Sequence, residues 1–482
     1  MSHKDHDYTR RQVVKVGALT GVVGLAGCTG NLSGGNAGSN DDNIQSWPTY
    51  QYDTRNSGYV PSNAGPDGKV SEAWTQDLDI VSPPVAKNGV VYAPSGSSIT
   101  ALFTDGSVKW STGYEEETDA RWGSLALGNE YLFAQSLGTP GGVSIVSLED
   151  GTILDEWGFY SEINTCHPAV VDGTVYYTQD SEHVLRASGV TDTGAVEQWR
   201  FTDELPPPET DWEALPEALQ EELPVGQQNW SDVENERRRE WLYGATDDEA
   251  TSPIIADGTV YLASRRKSSV GRLYWKVYAV SASDGTEQWS IRFPKEPTGP
   301  VSYAVGSESD QAIEELSVGD DMVYMSWESM YSTRRSGTTS TLYALSRDDG
   351  SEKWSVEMDK PDLSTPVVGD DTVYLVNDGD PEVDDVKTAT VYALSADDGS
   401  QKWSHDTSIR LGDSSFIVIG DTIYLSGTDR QFSKRGRLLA LSSEDGTEHW
   451  TYEMDTPIRD SPVVVDSTIY LVDEDRVLYA LR

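Results

Sequence analysis

Ser364-Thr-Pro-Val-Val-Gly-Asp-Asp-Thr-Val-Tyr-Leu375, followed by Thr390-Val-Tyr-Ala-Leu-Ser-Ala-Asp-Asp-Gly-Ser-Gln-Lys-Trp403, decides the fold. Three runs of alternating β-branched, aromatic and small residues are separated by turn residues, and a fourth run ends on tryptophan. That pattern describes one four-stranded antiparallel meander. The Asp-Gly pairs at 105–106, 150–151, 284–285, 349–350, 398–399 and 445–446 repeat it, each supplying the positive φ that a tight hairpin requires.

The closing tryptophan recurs as Trp74, Trp110, Trp157, Trp199, Trp289, Trp354, Trp403 and Trp450. Neighbouring anchors lie 36 to 49 residues apart, except for gaps of 90 before Trp289 and 65 before Trp354. Propeller blades of about 40–50 residues with two insertions have this spacing. Eight anchors predict eight blades. After Trp450 come Ser461-Pro-Val-Val-Val465, Thr468-Ile-Tyr-Leu-Val472 and Val477-Leu-Tyr-Ala-Leu481, three strands without a tryptophan strand. Val70-Ser-Glu-Ala-Trp74 supplies the missing one, so the N-terminal strand is expected to complete the last blade and leave no open edge. The expected fold is all-β, an eight-bladed propeller of four-stranded antiparallel blades over residues 47–482. A small helical insertion is expected at about 203–249, where Asp211 to Leu223 and Val233 to Leu242 have helical spacing after Pro206-Pro207-Pro208.

The first 46 residues read as an address. Arg10 and Arg11 stand in Thr9-Arg-Arg-Gln-Val-Val-Lys15, which resembles a twin-arginine export signal, ahead of a weakly apolar run too short to span a bilayer. Leu25-Ala-Gly-Cys28 resembles a lipobox, so residues 1–28 are read as a lipoprotein signal with Cys28 acylated. The Gly, Ser, Asn and Asp of residues 29–46 are expected to act as a flexible linker. This places the protein on the outer face of the cell membrane, held by its lipid anchor.

Asp and Glu number 80 against 36 Lys and Arg, for a net charge of −44, yet 15 Trp and 24 Tyr demand a folded core. Arg outnumbers Lys, 23 to 13, and acids are spread along the whole chain, a composition that resembles exported haloarchaeal proteins. At molar salt the Debye length falls to about 3 Å, which screens such self-repulsion. The charge argues against nucleic acid as a partner, because phosphate binding needs a basic footprint. Cys28 and Cys166 are the only cysteines, so no disulfide is expected in the mature propeller.

The recurring Ala-Leu-Ser-x-x-Asp-Gly-x-x-x-Trp is similar to the tryptophan-docking repeat of quinoprotein (PQQ-like) propellers, and in style to the β-barrel assembly lipoproteins. Trp47-Pro-x-Tyr-x-Tyr-Asp-x-x-Asn-Ser-Gly-Tyr-Val-Pro61 resembles that family's opening segment. The resemblance implies that Trp110, Trp289, Trp354, Trp403 and Trp450 wedge between neighbouring blades. Trp199 lacks an Asp-Gly pair in its own repeat. The family's enzymes use PQQ, calcium and an adjacent cysteine pair, and no such pair occurs here. Asp378 to Asp385 has alternate carboxylates but neither the turn glycine nor the terminal glutamate of a calcium loop.

No catalytic residue, metal site or cofactor is therefore expected. In a propeller the turns between first and second strands share one face with those between third and fourth; the remaining connections share the other. The first face collects Asp172, Asp257, Asp320, Asp370, Asp421 and Asp466. The second holds the basic clusters Arg265-Arg266-Lys267, Arg334-Arg335 and Lys434-Arg435 with Arg437, and also the insertion. The expected function is a monomeric, non-catalytic surface scaffold using this basic face for a protein partner or an acidic glycan. The alternative is a divergent quinone-dependent sugar or alcohol dehydrogenase with PQQ and calcium.

Overall fold

The computed structural model describes residues 46–61, 65–66, 68–113, 121–137, 141–159, 167–179, 184–191, 194–201, 250–267, 273–293, 311–329, 339–358, 363–378, 389–411, 416–429 and 435–482. They form eight antiparallel sheets, built at 85–113, 121–159, 169–201, 254–293, 311–358, 367–407, 416–454 and 463–481, here blades 1 to 8. Within each, consecutive strands are neighbours, and the first strand lies innermost. Apolar clusters join every adjacent pair of blades around the ring, and the cluster of blade 8 reaches both blade 7 and blade 1.

The ring closes as the termini suggested. Glu72–Asp77 is the outer strand of blade 8, antiparallel to Val477–Leu481, with Trp74 opposite Ala480 and Thr75 opposite Tyr479. Ser71 and Arg482 exchange backbone hydrogen bonds at 2.7 and 2.9 Å, so both ends of the sheet are consumed internally.

Local sequence explains the blade. Pro84, Pro168, Pro253, Pro366 and Pro462 precede inner strands, where a missing N–H costs no ladder bond. The first hairpin turns on Asn88-Gly89, Asp172-Gly173, Asp257-Gly258 and Asp466-Ser467, all with positive φ at both positions, the type I′ geometry that matches strand twist. In seven blades the register slips immediately before the tryptophan, leaving Lys109, Gln198, Gln288, Lys353, Lys402, His449 and Ala73 as bulge residues. The bulge bends the outer strand and aims the indole at the next blade.

Two expectations need correction. The blades are not uniformly four-stranded: Ser46–Trp47 adds a fifth strand to blade 1. Tyr59–Val60 runs parallel to the inner strand of blade 7, and Ile409–Arg410 pairs with its Thr422–Asp429 strand. Ser46–Trp47 and Tyr59–Val60 pair with free inner-strand edges, whereas Ile409–Arg410 pairs with the end of the second strand that Phe416–Ile419 does not reach. Nor is a helix found among the described residues, where all regular structure is strand. The 203–249 segment assigned to helices lies outside them, and no described helix is long and apolar enough to cross a membrane.

Candidate functional site

The axis of the ring is occupied by the chain itself. An inner strand facing an empty channel would leave backbone N–H groups without partners. Residues 46–60 meet that demand blade by blade. Trp47 pairs with Ala86 of blade 1, the Pro48 carbonyl accepts from Leu127 N of blade 2, and Thr49 Oγ1 donates to the Pro168 carbonyl beside blade 3. The carbonyls of Thr54, Arg55, Ser57 and Gly58 then accept from Ile255, Val318, Val368 and Val418 of blades 4 to 7, at 2.6–2.9 Å.

So tight a circuit needs unusual backbone. Gln51, Tyr52, Asn56 and Gly58 all have φ between 52 and 77°. Asn56 holds its turn by donating Nδ2 to the Leu316 carbonyl at 2.7 Å. Asp53 accepts from Arg55 N and Ser57 N on Oδ1 and from Ser57 Oγ on Oδ2. Burial raises the Asp53 carboxyl above its usual range, against the opposing pull of these hydrogen bonds. On the acidic face Arg55 reaches out to Asp320 at 3.1 Å and Asp257 at 3.3 Å. Arg347 also pairs with Asp257, at 2.9 Å, and this bond holds the Asp257 carboxyl below its usual range.

Two small clefts adjoin the segment and share Tyr50 and His167. One is bounded by Trp47, Gln51, Pro84, Leu125, Ile417 and Pro462, among others. The other is bounded by Thr49, Asp53, Asn56, Pro168 and Ser252, among others. The imidazole of His167 stacks on Tyr50 with centroids 4.2 Å apart and planes 3° from parallel. Its backbone N–H donates to Ser252 Oγ, and that hydroxyl donates to Glu315 Oε1, both at 2.9 Å. Packing by protein pushes the imidazole down to about 4, so it is neutral at pH 7.

The tryptophans meet their neighbours as wedges. Trp110, Trp289, Trp354 and Trp403 donate Nε1 to the carbonyls of Leu148, Arg347, Ala396 and Ser443 in the following blade, at 2.8–3.2 Å. Trp199 does the same to Ala282, because the Asp-Gly turn it needs is Asp284-Gly285 of the next blade, not one in its own. Trp74 completes the circuit on Thr104. Trp450 packs on Tyr424, centroids 6.0 Å apart, facing the blade whose hairpin is replaced by the chain-end junction.

The predicted basic face is only partly in view. Arg437 is turned inward: Nε pairs at 2.8 Å with Asp429, which is 1 % exposed, while Nη2 pairs with Glu453 and Nη1 donates to Ser408 Oγ. Arg265 is half-buried and Arg435 exposed. Arg266 and Lys267 lie in the strand Thr259–Lys267, but their side chains fall outside the description, as do Arg334, Arg335 and Lys434. Arg10, Arg11 and Cys28 also lie outside it. Asp378 pairs with Arg410 at 3.7 Å, and the remainder of its acidic stretch is outside the described residues. His167 was not singled out from the sequence. It stands before Pro168 where other repeats have Ser252-Pro, Thr365-Pro and Ser461-Pro, and that departure was the available signal.

A polycarboxylate quinone with a divalent cation requires cationic side chains and converging oxygen ligands. No Lys or Arg is among the described residues bounding either cleft, and no group of three His, Cys, Asp or Glu converges among the described residues. The described residues do not fit that pair.

The family model of the outer membrane protein assembly factor BamB matches residues 275–431 and 426–482. No curated protein matches. Among solved structures, the chain resembles BamB from Moraxella catarrhalis at 14% identity and TM-score 0.54, covering 86% of this chain and 100% of that one. A quinohemoprotein alcohol dehydrogenase from Comamonas testosteroni gives 14% identity and TM-score 0.59, covering 91% and 80%. A europium-containing methanol dehydrogenase gives 14% and 0.56, covering 90% of each chain. At this identity the likeness is one of fold: a PQQ-like, BamB-style eight-bladed propeller.

Proposed function

We propose that this PQQ-like, BamB-style propeller is an exported, lipid-anchored binding scaffold that recognises a protein partner or an acidic glycan with the face bearing its long connections. The observation that carries this reading is the asymmetry of those connections. On the acidic face every first hairpin turns in two or three residues, and residues 46–60 fill the axis. On the opposite face the chain runs from Phe201 to Ile254 and from Phe293 to Gln311 between consecutive strands. Sequence length beyond what closure requires accumulates where recognition loops are needed. The reading assigns Arg265, Arg266, Lys267, Arg334, Arg335, Lys434 and Arg435 to that face.

Capture from native membranes in high salt tests the reading. Reversal to Glu at Arg265, Arg266, Arg334 and Arg335 should reduce recovery of the bound partner at least about tenfold, since rim charges govern encounter. Reversal of Asp172 and Asp421 on the other face should leave it unchanged; equal effects from both would defeat the assignment. The anchor has its own test: Cys28→Ala should shift the protein from the membrane to the soluble fraction, and Arg10→Lys with Arg11→Lys should retain it inside the cell.

The breadth of the likeness to quinohemoprotein alcohol dehydrogenases, 91% of this chain, favours a second reading as a divergent quinone-dependent dehydrogenase. Purified protein supplied with PQQ and calcium should then reduce an acceptor dye in the presence of sugars or alcohols. Turnover would replace the scaffold reading.

A further inference from the structure

The axial segment enters and leaves the ring on one face. Ser46 lies opposite Lys87 and Trp47 opposite Ala86, antiparallel to an inner strand that runs into the Asn88-Gly89 turn on the acidic face. Followed backward from Trp47, the chain therefore emerges at that face. The other end agrees. Tyr59–Val60 runs parallel to Phe416–Ile419, which turns at Gly420-Asp421, and the Val60 carbonyl accepts from Gly420 N at 2.8 Å. Trp47 is buried and packs edge-on against Tyr52, which fixes the exit point. Resting on the lipid-anchored reading above, we infer that the acidic face is turned toward the membrane and the face with the long connections away from it. The partner of that outer face is accordingly a soluble or cell-wall macromolecule that approaches from outside, not a protein embedded in the same membrane.

The reach of the tether decides between the two orientations. Residues 29–45 join Cys28 to Ser46, and a chain of that length spans at most about 60 Å when fully extended. With the acidic face toward the lipid, the anchor lies below the exit point and no particular extension is needed. With that face outward, the same residues must first run from the axis to the rim, past four strands about 4.8 Å apart, or about 25 Å with the axial segment included. They must then pass the height of a blade. A strand such as Thr422–Asp429, with 8 residues at about 3.3 Å each, makes that a further distance of about 25 Å. A path of about 50 Å for a chain of about 60 Å leaves the tether almost no conformational freedom, which costs entropy. Like charge does not reverse the choice, because at molar salt a Debye length of about 3 Å screens the acids from the headgroups.

Energy transfer to a headgroup dye tests the orientation. The protein, purified from membranes with its anchor, is placed in phosphatidylcholine vesicles at molar salt and carries a fluorophore on one added cysteine, with Cys166→Ser removing the other thiol. Asp348→Cys and Asp421→Cys mark exposed turns of the acidic face; Arg435→Cys and Asp455→Cys mark exposed positions at the opposite ends of the strands. The ends of a blade stand about 25 Å apart, so transfer from the first pair should exceed that from the second at least about twofold. Equal transfer, or the reverse order, in protein that floats with the vesicles would overturn the orientation and leave the anchor standing. Protein that does not float would defeat the anchor, and the orientation with it. Partner capture does not enter these outcomes, so they are independent of the charge-reversal test.

Discussion

Gly350 answers two demands at one position. Its φ of +69° is the left-handed conformation, and a Cβ there would lie 2.7 Å from Cε3 of Trp289 in the preceding blade. Gly106, Gly151, Gly285, Gly399 and Gly446 stand in the same relation to Trp74, Trp110, Trp199, Trp354 and Trp403. The Asp-Gly turn is thus the landing surface for an indole as well as a hairpin, which is why glycine and tryptophan recur together. Gly350→Ala should cost about 1 kcal/mol for the backbone and about 1–3 kcal/mol more for displacing the ring. Trp289→Ala should cost about 3–5 kcal/mol. Combined, the clash disappears and Gly350→Ala should add only its backbone part, a coupling visible in urea midpoints as a double-mutant cycle. Simple additivity would mean that the indole does not rest on the turn. The sequence showed the positive-φ requirement, but the second role joins adjacent repeats and cannot be seen within one.

At the scale of elements, the decisive piece is residues 46–60, which contribute two strands of two residues each and yet touch the inner edges of seven blades. Asn56→Ala loses the bond to Leu316 and a side chain suited to positive φ, so about 2 kcal/mol of destabilisation is expected by thermal or urea unfolding. Asp53 behaves differently. Its raised pKa means that the folded state favours the protonated form, so ionised Asp53 opposes folding at neutral pH. Asp53→Asn keeps an acceptor for the Arg55 and Ser57 amides and should cost less than about 1 kcal/mol. Asp53→Ala orphans those donors and should cost about 2–3 kcal/mol. Equal losses would show that charge rather than hydrogen bonding matters there. The blades were legible because each repeats a local period. The axial segment was legible only as an opening motif, since its partners run from residue 86 to residue 420 and it has no periodicity. The helical spacing read in 203–249 was local too, and the described residues around it are all strand where they are regular.

For the whole molecule, closure and charge together set how stability responds to acid. The ring is sealed by Glu72–Asp77 against Val477–Leu481, so unfolding exposes the axis and with it His167. Folded, that imidazole titrates near 4; unfolded, near its ordinary value of about 6.5. The sign follows directly: between those limits the unfolded chain binds the extra proton, so His167 costs folding nothing above pH 6.5 and opposes it increasingly as pH falls toward 4. The difference amounts to about 3 kcal/mol. The turn aspartates Asp105, Asp284, Asp349, Asp398 and Asp445 are held below the usual carboxylate range by hydrogen bonds from their own turns. Their contribution is present above about pH 4 and disappears only below it. Acid should therefore act in two stages, the histidine before the turns. A net charge of −44 adds an opposing trend at low salt, because protonation relieves repulsion, but at molar salt a Debye length of about 3 Å removes most of it. Urea midpoints recorded at molar salt should decline from pH 6.5 toward 4, with the slope approaching one proton until protonation of Asp53 begins to offset it. His167→Gln should flatten that interval and leave the steeper loss below pH 4 in place. A decline of the same slope in the variant would mean that some other group carries the first stage and that the axis does not hold a buried neutral histidine.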